Sequence, residues 1–271
     1  KLVALLSGYL SEDVHEFGQL AVHRLLTKQQ LLNFANIKPR LMNNGNFVNT
    51  YLSKIRPNPD VHFESSKQAQ QQQLTELWDF VKRLSPSYNT LKAHVLYHRL
   101  LFDRSQGVYD RKRFLDYVKL PREAVYIEAK YHRQREFSST KINFNQNYKP
   151  QTLYPAIGND EPLIRSYLQH FFLKDQDYKQ YEKYIHYGYL KKNFAETKIV
   201  NGLGDPVTLS SYISAIDYKN LRNRVDLDFA FTSKQRFSAE DPVSVEVNVK
   251  NVEKLIVKVF EINTSNFYRD Q

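Results

Sequence analysis

His94 and His98 stand four residues apart in a stretch where Leu91, Val95, Leu96, Leu100 and Leu101 recur at helical spacing. Two imidazoles so spaced project from one helical face and can chelate zinc. A metalloprotease helix carries Glu directly after the first His, whereas Val95 follows His94 here, and the sequence places no third ligand beside them. The pair is read as lying at the polar boundary of an amphipathic helix, and an enzyme would have to centre on His94, His98 and Asp103. Asp226 and Asp228 alternate along an extended stretch, as paired acids for glycoside or phosphoryl chemistry could, but their neighbours put them on the solvated side. Asn201-Gly202-Leu203-Gly204-Asp205 spaces two glycines as a phosphate loop does. It follows a helical pattern and lacks the Lys-Ser/Thr of that loop, so a helix C-cap and turn is expected. No Gly-x-Ser-x-Gly elbow is present. The absence of Cys excludes disulfides, thiolate nucleophiles and cysteine-bound metal clusters. The expectation is a non-enzymatic chain with no catalytic residue, no metal site and no cofactor.

Two other groups of residues point to binding. Tyr178, Tyr181, Tyr184, Tyr187 and Tyr189 crowd one stretch together with Lys179, Lys183, Lys191 and Lys192. Rings interleaved with cations can stack on nucleic acid or build a protein-protein patch; at helical spacing they also divide into core and surface. Tyr178, Tyr181, Tyr184, Tyr187, Lys179 and Lys183 form the candidate interaction patch. The net charge is +10, and residues 1–140 hold most of the excess, with 21 Lys and Arg against 13 Asp and Glu. The longest basic run there, Arg111-Lys112-Arg113, is the candidate anion-binding site of an alternative function, a nucleic-acid or polyanion-binding module. Asp103, Asp110 and Asp116 surround it, which suits a solvated helix face.

These residues need elements to hold them. With 41% hydrophobic and 14% aromatic residues in 271, the chain can build a sizeable core and is long enough for two domains. Its apolar runs are too short for a membrane span or a secretory signal. Val14, Phe17, Leu20, Ala21, Leu25, Leu31 and Leu32 keep three-and-four spacing, and Pro57-Asn58-Pro59 stops that first helical unit. Ser65 or Ser66 can cap a helix running through the surface Gln tract 70–73 to Leu84; a returning helix reaches about Phe102, and Asp110 starts a third. Residues 1–122 are thus read as a helical array. Residues 123–220 are a mixed segment: a half-buried strand with Val125, Ile127, Ala129 and Tyr131 on one face, a loop over 138–158, a helix opening at Asn159-Asp160-Glu161-Pro162, and a second helix through Tyr178, Tyr181, Ile185 and Tyr189 to Phe194.

From 221 the period is two. Val225, Leu227, Phe229 and Phe231 alternate with polar residues, as do Val243, Val245, Val247 and Val249, and Leu255–Ile262 follows as a third strand. Three strands with one apolar face require a covering layer. The stretch Thr232-Ser233-Lys234-Gln235-Arg236-Phe237-Ser238-Ala239-Glu240-Asp241-Pro242-Val243 resembles the opening of a macroglobulin-like β-sandwich domain, although the Pro-Gly usual in its turn is absent. Leu91 to His98, Phe194 to Lys198 and Val257 to Thr264 are similar to phrases in very large bacterial proteins with a helical region ahead of such domains. The chain is read as α+β, a helical array followed by an antiparallel β-sandwich, the sheet being completed either by strands from earlier in the chain or by residues beyond 271. The resemblance implies a structural or protein-interaction role in a bacterial multidomain protein; the compartment is left open, with the cell envelope or the outside of the cytoplasm favoured over the interior. The partner would be protein, including other domains of the same chain, with the oligomeric state left open. The thioester of true macroglobulins needs a Cys, so protease trapping is not implied for this chain.

Overall fold

Several helix starts in this chain are set by side chains that hold otherwise free backbone N–H groups. Thr27 and Gln30 form a reciprocal capping box, Asn44 accepts from Phe47 N at 3.1 Å, Ser66 from Ala69 N at 3.2 Å and Asp110 from Arg113 N at 2.9 Å. The computed structural model describes residues 1–128, 140–234, 236–261, 263 and 269. They divide into two units, 1–214 and 215–271. The first holds α1 (Leu2–Tyr9), α2 (Ala21–Leu25), α3 (Lys28–Ile37), α4 (Gly45–Ile55), α5 (Lys67–Val81), α6 (Asn89–Ser105) and α7 (Arg111–Val118). It continues with α8 (Lys149–Thr152), α9 (Glu161–Phe172), α10 (Tyr187–Val200) and α11 (Pro206–Ser210). The second holds α12 (Ala215–Asn223), β1 (Asp226–Phe229) and β2 (Val247–Lys250).

Two hydrophobic cores lie in the first unit, and α6 belongs to both. Leu91 and Val95 enter a core built by Leu6, Phe17, Phe34, Phe47, Leu77 and Phe80. Ala93, Leu96 and Leu100 enter another built by Phe114, Tyr117, Tyr167, Phe172, Leu190 and Leu209. A helix that contributes to cores on different sides cannot keep a broad polar face, and α6 buries Asn89, His94 and His98 along with its leucines.

Several expectations change at this level. Residues 11–20 form turns rather than a continuous helix, with Val14 at φ +54. Gln73 is buried, not surface, and donates to Thr152 O at 3.1 Å. The strand expected from 124 does not form over its described part. Val125 is 90% exposed while Tyr126 and Ile127 are both buried, so facing does not alternate. The backbone makes one antiparallel bridge instead, Ile127 opposite Ile185, with His186 N donating to Tyr126 O at 2.8 Å. Ala129 and Tyr131 lie outside the described residues. That bridge also interrupts the helix expected through Tyr178 to Phe194, leaving a short 3-10 turn at Lys179–Tyr181 before α10.

The β-sandwich expectation, and with it the α+β fold class, is overturned: among the described residues the chain is mostly helical and carries one two-stranded antiparallel sheet. Leu227 pairs with Val249 and Phe229 with Val247. Alternation places these side chains together on one face, yet Leu227, Phe229 and Val249 are 53%, 68% and 52% exposed. Val243 and Val245 precede the strand, and the described residues of 255–262 form none. Periodicity selects extended backbone; it does not supply the partner strands that a second layer requires.

Candidate protein-interaction face

The histidines belong to the core. His94 Nε2 lies 2.9 Å from Thr152 Oγ1 and His98 Nε2 2.9 Å from Pro155 O, both in the segment around α8. Burial, reinforced by His98, pushes the His94 imidazole down to about 3; burial pushes His98 down to about 4 against the pull of the Pro155 carbonyl. Both therefore pack as neutral rings rather than at a polar boundary. Asp103 is held by Arg113, and among the described residues no group of three His, Cys, Asp or Glu could hold a metal.

A second buried polar cluster lies beside α9, where Asp160 was expected only to start the helix. Asn159 Oδ1 takes the Glu161 N–H at 3.0 Å, which frees the Asp160 side chain to turn inward. There Asp160 Oδ2 accepts from Arg122 Nη1 at 2.7 Å, Tyr117 Oη at 2.8 Å and Tyr126 Oη at 2.6 Å. Burial pushes both tyrosine hydroxyls up, keeping them protonated as donors. The Arg122 guanidinium lies 4.0 Å from the Tyr117 ring centroid. Every member faces another member or backbone, so the cluster joins α7, the 120s segment and α9 rather than addressing solvent.

The basic triplet is engaged by carboxylates. Arg111 makes a bidentate pair with Asp175 at 3.0 and 2.8 Å, and Tyr181 Oη donates to the same carboxylate at 2.9 Å. Lys112 pairs with Asp116 at 2.7 Å, and Arg113 contacts Asp103 and, at 3.7 Å, Asp110.

The aromatic-lysine stretch divides. Tyr181 and Tyr184 turn into the core, while Tyr187, Lys179 and Lys183 stay exposed and Tyr178 is half-buried. Lys183 Nζ lies 5.4 Å from the Tyr184 ring centroid, covering it from outside. On α10 the spacing i, i+4, i+7, i+11 brings Tyr187, Lys191, Phe194 and Lys198 onto one face. Lys191 Nζ is 5.8 Å from the Tyr187 ring and 4.8 Å from that of Tyr212, and Lys198 Nζ is 5.5 Å from Phe194. Tyr178 packs edge-on against Tyr187 and Phe194 at 5.8 and 5.4 Å. Among the described residues Lys174, Lys179, Lys191 and Lys198 make no ion pair, in contrast to the triplet on α7. Sequence reasoning missed Lys198, Phe194 and Tyr212 as parts of this face; only the spacing along α10 could have signalled the first two.

The described residues of 1–214 form a helical domain that carries this aromatic-lysine stripe on α10. The chain belongs to the family of the Actin-binding protein F N-terminal domain, whose model matches residues 1–225. Actin-binding protein F of Dictyostelium discoideum is 31% identical over 271 residues, an alignment covering 98% of this chain and 11% of that protein. The chain therefore spans a small part of the relative's length. No solved structure matches it. This family overturns the resemblance to macroglobulin-like proteins, and neither finding supports a bacterial origin. The non-enzymatic expectation agrees with a family described by binding rather than by a reaction. Nothing in the matches supports a nucleic-acid module. Among the described residues no helix is long and apolar enough to cross a membrane.

Proposed function

We propose that this chain is a non-catalytic protein-interaction domain that binds actin. The observation that carries the reading is the α10 stripe, in which Lys191 and Lys198 cover aromatic rings without an acidic partner among the described residues, in a domain whose family is described as actin-binding. Unneutralised cations on an aromatic base give an acidic protein surface both long-range steering and contact area at the interface centre.

The test is co-sedimentation of the purified chain with actin filaments. Binding is expected to weaken as salt rises through the screening range. Reversing Lys191→Glu and Lys198→Glu together should weaken binding about tenfold, since each exposed pair, worth about 0.2–1 kcal/mol, turns repulsive. Lys112→Glu on α7 should leave binding unchanged. A chain that stays in the supernatant at low salt, or a double reversal that pellets like the wild type, would overturn the proposal.

A further inference from the structure

Beside the stripe a groove of about 460 Å³ runs between the end of α9, α10 and α11. Leu173, Phe194, Leu203 and Leu209 give it apolar walls, and Lys174 and Lys198 stand among its lining residues. Its volume lies within the range of about 300–1,000 Å³ usual for binding clefts. Gly204, the second of the sequence's two glycines, lines it, and Gly202 shapes the turn that leads there. Gly202 N donates to Ile199 O at 3.2 Å and Leu203 N to Lys198 O at 2.8 Å, closing α10 with a Schellman turn. Gly204 follows at φ +77, where a Cβ would come within 3.1 Å of Leu209. A side chain here would strain the positive φ and push the Leu209 methyl by a few tenths of an ångström.

Two lysines and one carboxylate line the groove, so its lining is net positive. Its lining carboxylate, Asp205, is occupied in capping α11, accepting from Thr208 N at 2.8 Å and Thr208 Oγ1 at 2.5 Å. Lys198 reaches across the groove to Leu173 O at 3.5 Å, so its stem covers apolar wall while its charge stays at the rim. Leu173, 39% exposed, is open to an incoming side chain.

We propose that this groove takes the apolar anchor of an acidic peptide segment, with carboxylates flanking the anchor meeting Lys174, Lys191 and Lys198. The proposal rests on the reading of the chain as a protein-interaction domain and adds the chemistry of the segment it grips. Charge complementarity selects an acidic partner, and the apolar walls select one with a buried side chain. A nucleic acid fits less well. Base stacking needs a free ring face, and Lys191 and Lys198 lie over the rings of Tyr187, Tyr212 and Phe194.

The probe is a fluorescein-labelled peptide of Glu and Asp around one central Phe, followed by anisotropy, beside the same peptide with Ala at its centre. Wild-type chain should bind the Phe peptide at least about tenfold more tightly than the Ala peptide, the discrimination a buried aromatic anchor confers. Gln176→Trp fills the groove without altering its charge and should remove that preference. Should circular dichroism show this variant misfolded, Leu173→Ala, which shortens one wall, should reduce the preference instead. Lys174→Glu with Lys198→Glu should weaken both peptides. Equal affinity for the Phe and Ala peptides, or displacement of the peptide by a single-stranded oligonucleotide at lower concentration than by unlabelled peptide, would overturn the groove. A chain that shows the preference but fails to pellet with actin removes the actin reading alone. A chain that pellets with actin while its Gln176→Trp form pellets equally, and the two peptides bind alike, removes the groove alone.

Discussion

Asp160 shows how one side chain can serve a purpose that its neighbours in sequence conceal. Beside Glu161-Pro162 it resembles a helix cap, but Asn159 takes that task and Asp160 neutralises Arg122 inside the protein. Breaking a fully buried ion pair leaves a charge without compensation, at a cost of about 3–5 kcal/mol. Asp160→Ala should therefore lower unfolding free energy by about that amount in a denaturant titration; a loss below about 1 kcal/mol would contradict the role given to the cluster. The buried histidines predict a pH dependence with a definite sign. Their folded-state values of about 3 and 4 lie below the ordinary 6.5, so the unfolded chain binds more protons between those limits. Stability is complete above about pH 6.5 and falls as pH drops toward 4, by at most about 1.4 kcal/mol per pH unit for each ring. His23, lowered by burial, adds in the same direction. Midpoints of urea denaturation measured across this range should decline on acidification, and His94→Gln with His98→Gln should flatten the decline.

At the scale of elements, caps and period were legible wherever a helix is made by its own residues. Ser66 and Asp110 start α5 and α7 where their side chains suggest. The Thr27 capping box predicts that Thr27→Ala costs about 1 kcal/mol, read as a lower melting temperature with α3 frayed at its first turn; an unchanged melting temperature would mean the box is not formed in solution. What the sequence hid depends on distant partners. Arg111 meets Asp175, 64 residues away, so a run that looks free on paper is neutralised in space. The 124–128 segment alternates in type, but its single bridge to Ile185 turns both Tyr126 and Ile127 inward. Tyr178, Tyr181 and Tyr184 keep helical spacing, yet only the 3-10 turn at Lys179–Tyr181 forms. The groove draws on residues 173–212, from the turn after α9, two helices and a glycine turn. Of that set, α10 contributes only Phe194 and Lys198, a pair at helical spacing.

At the scale of the whole molecule, the two units differ in how they are held. Among the described residues of 215–271, Leu221 is the one buried side chain, and the apolar face of β1 and β2 stands open. Residues 1–214 instead share two cores through one helix, and that arrangement predicts their cooperativity. Leu91→Ala and Leu100→Ala on α6 remove contacts from different cores, each at about 2–5 kcal/mol. Each should lower the single heat-absorption peak of this unit; splitting into two peaks would show that the cores melt independently. A spine common to both cores is exposed only when both have come apart. In deuterated solvent the amides of α6 between Leu91 and Leu100 should therefore keep their protons longest, and they mark the last part of the fold to open.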